Sequence, residues 1–164
     1  MVIIAFTKNI EHMKTINNFI LLLLLMVSTS SCLKAGLDDL ETYDQSEITN
    51  IRFEYRWWDE TEKRLRVIEM NVDKNIDAKS KEISCTITVP EASNAFTSTV
   101  RENVSLNNLT MNVDISTAAR IKPIGNSPTL GAPQDFSAKD FIYQVTSASG
   151  TSTEWSIKII DFKK

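Results

Sequence analysis

The chain has 164 residues, a formal net charge of −3, two cysteines and one histidine. An acidic balance spread along the chain offers no basic stripe for nucleic acid. One imidazole, His12, leaves little for histidine-based catalysis or zinc ligation.

The first thirty-one residues read as a leader rather than as part of a fold. Phe19 to Val27 is an unbroken apolar run of nine residues, preceded by Lys14 and followed by Ser28-Thr29-Ser30-Ser31. A basic flank, a short apolar segment and small residues before a cleavage point make a secretory signal. The run falls short of the ~20 apolar residues that a membrane-spanning helix needs. Met13-Lys14-Thr15-Ile16 would open a compact signal by itself, so Met13 is an alternative start of translation.

Cys32 follows Thr29-Ser30-Ser31, which resembles a lipobox of the relaxed kind found in Bacteroidota lipoproteins. That resemblance implies diacylglycerol on the Cys32 thiol, cleavage before it, further acylation of that cysteine by palmitate, and anchoring to the outer membrane. Several acyl chains hold a protein where one would not, since each buried methylene contributes about 0.8 kcal/mol. Cleavage would leave 133 residues and would remove Lys8, Lys14, Glu11 and His12. The 18 basic and 21 acidic side chains thereby become sixteen and twenty, a net charge of −4 with no histidine.

Residues 32–46 form the lipidated cysteine and an acidic tether, with Asp38, Asp39, Glu41 and Asp44 and no apolar period. Residues 47–164 form one domain. Ile51, Phe53, Tyr55 and Trp57 alternate with Arg52, Glu54, Arg56 and Trp58, the period of a strand. Asp59 to Lys63 is a polar turn, Arg64 to Val72 a second strand, and Asp73 to Ser80 a loop. Glu82 to Val89 is a third strand, ended by Pro90. Within it Cys85 shares a face with Ile83 and Ile87 and reads as a small buried hydrophobe.

Residues Pro90 to Leu106 suggest one helical turn near Thr99 to Val104. Leu109, Met111, Val113 and Ile115 mark a strand, Ala118 to Lys122 a short one, and Pro123 to Pro133 a loop. Phe141, Tyr143 and Val145 lead through the turn Ser147 to Gly150 into a last strand with Trp155, Ile157 and Ile159 on one side. About seven alternating strands with no long helical period imply an all-β sandwich.

The run Asp135-Phe136-Ser137, then Phe141-Ile142-Tyr143-Gln144-Val145-Thr146, then Gly150 and Glu154-Trp155-Ser156-Ile157-Lys158-Ile159, resembles the closing hairpin of an immunoglobulin-like module. Such modules recur in Bacteroidota surface lipoproteins near glycan-uptake systems of the SusC/SusD kind. The resemblance implies an immunoglobulin-like β-sandwich, an outer-membrane and surface setting, and Trp155 in the core. It carries no catalytic motif.

No phosphate-binding glycine loop, dinucleotide fingerprint or spaced calcium loop is present, so no metal and no cofactor is expected. Asp59, Glu60 and Glu62 could be imagined as a carboxylate pair, but charged turn residues are usually solvated, and the expectation is that this is not an enzyme. Trp57 and Trp58 are adjacent and must face opposite ways on a strand. Trp57 shares the face of Phe53 and Tyr55 and belongs inside. Trp58 shares the face of Arg56 and is the candidate contact, with Arg56, for glycan or a partner outer-membrane protein, unless it packs at the sandwich edge. The two functional readings are a non-catalytic binding or accessory module and a structural or assembly subunit of a surface appendage or envelope complex.

Overall fold

The computed structural model describes residues 43–164; the leader, Cys32 and most of the tether lie outside the described residues. Two sheets make a sandwich. The first holds β1 (Ile48–Asp59), β2 (Arg64–Glu69), β5 (Leu109–Ile115) and the two-residue β7 (Pro133–Gln134), in the order β2-β1-β5-β7. The second holds β3 (Asn71–Asp77), β4 (Glu82–Thr88), β6 (Arg120–Ile124), β8 (Asp140–Thr146) and β9 (Ser152–Lys163), in the order β3-β4-β9-β8-β6. Every pairing is antiparallel except β4 with β9. The all-β sandwich anticipated from alternation is what the chain forms.

The alternating residues close the core between the sheets. From the first sheet come Ile51, Phe53, Leu109 and Met111; from the second come Ile83, Ile87, Tyr143, Trp155 and Ile157, all fully buried. Phe136, on the loop before β8, joins them edge-on: its ring lies 5.4 Å from Phe53 and 5.4 Å from Phe141, at interplanar angles of 86° and 85°. Edge-to-face contact sets the positive ring edge against a negative face, so these pairs fix orientation as well as filling space. Cys85 is buried as expected, and burial pushes its thiol up to about 11, which keeps it protonated at neutral pH.

Two buried polar tips are satisfied by backbone. The Trp155 indole N–H donates to the Ser46 carbonyl at 3.0 Å, and the Tyr143 hydroxyl donates to the Pro128 carbonyl at 2.8 Å. The first bond, with a 2.6 Å contact between the Ser46 and Thr153 hydroxyls, means that the last residue assigned to the tether already belongs to the packed domain.

The single strand expected over Arg64 to Val72 is instead two, and the loop expected over Asp73 to Ser80 is largely strand. Met70, 3% exposed, is the one residue between β2 and β3. Its N–H makes the last backbone-to-backbone bond of this segment to the first sheet, with the Phe53 carbonyl at 2.8 Å, and the chain then crosses to pair with β4 from Asn71↔Thr88 to Asp77↔Glu82. A buried apolar residue can turn the chain between sheets without proline or glycine, so no punctuation marks the break. β3 escaped notice because it is an outermost strand, where Val72 and Ile76 are only half-buried among Asp73, Lys74, Asn75 and Asp77.

The helical turn expected near Thr99 to Val104 is α1 (Ser98–Glu102), capped by Thr97, whose hydroxyl accepts from the Val100 N–H at 3.3 Å. β6 runs two residues later than expected. Among the described residues the strands number nine instead of about seven because of β3 and β7. Among the described residues no helix is long and apolar enough to cross a membrane.

Tyr143→Phe keeps the ring and strands the buried Pro128 carbonyl, so chemical denaturation should register a loss of about 1–3 kcal/mol. Ile142→Ala, one residue along on the exposed face, should stay within about 0.5 kcal/mol.

Candidate functional site

The β1–β2 hairpin supplies the site. The register Trp57↔Arg66, Trp58↔Leu65 and Asp59↔Arg64 runs to the end of both strands. Because directly paired residues share a face, Trp57 and Arg66 point to the core side and Trp58 and Leu65 point out. Trp57 is half-buried; its ring stacks on Tyr55 at 5.9 Å and meets Phe96 at 5.7 Å. Trp58 is 53% exposed. The division of the two indoles expected from period-2 alternation is the one observed.

The turn between the strands is built by Asp59. Its Oδ1 accepts from the N–H groups of Thr61 and Glu62, each at 3.0 Å, and its Oδ2 accepts from Arg66 Nε at 3.0 Å. The Glu62 N–H, followed by Arg66 and the Thr61 N–H, holds the Asp59 carboxyl below the usual carboxylate range. It stays ionised through the neutral range, the opposite of the raised carboxyl that a proton donor needs. Glu60 pairs with Lys63 at 2.8 Å on the exposed tip. Lys63 takes a positive φ of 51°, which lets the chain turn back into β2.

Between this turn and the segment before α1 lies an open cleft of about 560 Å³. Trp57 and Val100 give it apolar wall, Trp58 borders it, and Asp59, Thr61, Arg66, Asn94 and Thr97 supply polar groups. An indole face beside fixed hydrogen-bonding groups, open to solvent, suits a ring-shaped polar ligand better than a buried apolar one.

The structure separates the two residues singled out from sequence. Arg56 lies on the outer face with Trp58, but its guanidinium is engaged. Nη2 donates to Glu54 at 2.9 Å and Nη1 to the Gly131 carbonyl at 3.1 Å, and the side chain is 27% exposed. It braces β1 against the loop before β7, outside the cleft. Arg66, Asn94 and Thr97 were missed. Thr97 could have been found from its capping position; Asn94 carries no local signal, because only the fold brings it to β1. Cys32 lies outside the described residues.

A family model described as DUF5018-related matches residues 48–158. Among solved structures, the chain is similar to the crystal structure of a "putative secreted protein" from Bacteroides fragilis. The two are 32% identical with a TM-score of 0.66, over 76% of this chain and 100% of that one. A comparison with curated proteins finds no match.

If Asp59 holds the turn, Asp59→Ala should open it while leaving the core intact. Limited trypsin digestion at Lys63 and Arg64 should be faster in the variant, at unchanged circular dichroism. The same bonds should weaken in the native chain only as pH falls through the lowered Asp59 value, because a depressed carboxyl stabilises above its ordinary range and loses that contribution in acid.

Proposed function

The chain belongs to the DUF5018-related family, and from that premise we propose that it is a lipid-anchored, non-catalytic binding module of the bacterial envelope. In this reading Cys32 carries the acyl chains at the outer membrane, on its outer face, and the cleft at the β1–β2 turn takes glycan. The observation that carries it is the Trp58 indole, 53% exposed on the outer face of the strand that borders a cleft of about 560 Å³. Covering an exposed indole with the apolar face of a sugar ring takes apolar surface of both out of water, which is favourable.

Export is supported by the leader-like first thirty-one residues and by the similarity to the Bacteroides fragilis protein described as secreted. The immunoglobulin-like assignment and a place beside SusC/SusD-type uptake proteins rest on the closing-hairpin resemblance. They supply the setting in which glycan capture would be useful. The acidic net charge argues against nucleic acid as the ligand.

Two experiments test the two halves of the proposal. Titration of the protein against a panel of polysaccharides should find a binder, and Trp58→Ala should weaken it by about 2 kcal/mol, roughly thirtyfold. Binding unchanged in that variant would remove the site. In cells fed a clickable palmitate analogue the protein should be labelled, and Cys32→Ser should abolish both the label and its recovery with outer membranes.

A further inference from the structure

Among the described residues the sandwich has three long unpaired strand edges, and they are not alike. β3 presents Asp73, Lys74 and Asp77, and β6 presents Arg120, Lys122 and Pro123; charge and proline are the usual means of keeping such edges from pairing. β2 differs. On its outward row Leu65 is 59% and Val67 51% exposed, and Trp58 lies beside Leu65 on the same face.

The backbone phase of this edge follows from one bond. Met70 N–H donates to Phe53 C=O, and the β1–β2 register continues from there without a shift. In an antiparallel ladder only alternate residues bond to a given neighbour. Ile68, Arg66 and Arg64 therefore spend their N–H and C=O groups on β1, while those of Leu65, Val67 and Glu69 point away from it.

We propose that β2 pairs with β2 of a second copy of this chain, antiparallel about a two-fold axis at Val67, joining the two four-stranded sheets edge to edge. In that register Val67 faces Val67 of the other copy, and each Leu65 faces a Glu69. All three outward residues of both strands thus form reciprocal hydrogen-bonded pairs. It also keeps the core face and the solvent face of the two sheets aligned, since the paired residues are of one parity.

Charge selects this register, and a strand that matches itself in it suits a second copy of this chain. Centring on Arg66 would set Arg66 against its own copy, centring on Leu65 would set Arg64 against Arg66, and centring on Glu69 would oppose the two glutamates; like charges directly opposite destabilise. Centring on Ile68 avoids that but leaves Leu65 to face Asn71, whose strand is already committed to β4. At Val67 no like charges stand directly opposite: each Glu69 faces a Leu65 and each Arg66 an Ile68 of the other copy. The inference does not depend on the glycan reading, because the cleft lies at the turn end of the hairpin and not on the edge.

The test uses the full chain carrying Cys32→Ser, which leaves the buried Cys85 as its other thiol. Across the axis the two Val67 Cα atoms would lie about 5.5 Å apart, within disulfide range. The two Leu65 positions would be about 13 Å apart by strand rise, beyond it. Under mild oxidation Val67→Cys should give a disulfide-linked dimer at least tenfold faster than the equally exposed Leu65→Cys. Light scattering of the chain without added cysteine should show a concentration-dependent dimer. Val67→Pro, which removes an outward N–H that β1 does not use, should convert it to monomer with unchanged circular dichroism. Equal cross-linking at both positions, none at Val67, or a monomer at every soluble concentration would overturn the proposal.

Discussion

The two-residue period of β1 is the constraint on which the rest of this molecule depends. A strand turns successive side chains to opposite faces, so the burial of Ile51, Phe53 and Tyr55 obliges Arg52, Glu54, Arg56 and Trp58 to face solvent. A slip of one residue would exchange the two sets and place two arginines and a glutamate between the sheets. The cost of burying those charges is what fixes the register. Phe53 then meets Phe136 edge-on, Phe136 meets Phe141, and the loop before β8 is locked to both sheets.

The same period creates the site. Two adjacent tryptophans cannot both enter a core from one strand. Trp57 is drawn against Tyr55 and Phe96, and Trp58 is left on the outer face of the strand that borders the cleft. The hairpin is held at each end by a different device. At the turn, Asp59 collects two backbone N–H groups and Arg66. At the other end, Met70 is buried and bonded to Phe53 before the chain crosses to the second sheet. Between those fixed points β2 keeps one side of its backbone unpaired, so a rigid element presents both an aromatic platform and an open edge.

Alternation revealed the strands that bury one clean face. Residues of β1, β4, β5, β8 and β9 could be placed by inspection, and so could the burial of Cys85 and Trp155. What stayed hidden has physical causes. β3 buries too little to alternate visibly, and a single methionine turns the chain between sheets with no proline or glycine to mark it. Arg56 was read correctly as facing outward, but its partner, the Gly131 carbonyl, is 75 residues distant, and no local pattern announces such a bond. Asn94 and Thr97 reach the cleft only through the packing of Phe96, which is likewise a long-range event. Sequence therefore identified the residue with free surface and misjudged which polar groups stand beside it.

β1 parts its two adjacent indoles, leaving Trp58 in solvent, Trp57 half-buried and Trp155, on β9, fully buried. Acrylamide quenching of three single-tryptophan variants, each keeping one of Trp57, Trp58 and Trp155 with phenylalanine at the other two positions, measures this directly. Trp58 alone should emit near the wavelength of a hydrated indole and be quenched several times more efficiently than Trp155, with Trp57 between them. Trp58 as protected as Trp155, or Trp57 more accessible than Trp58, would overturn this division of the indoles.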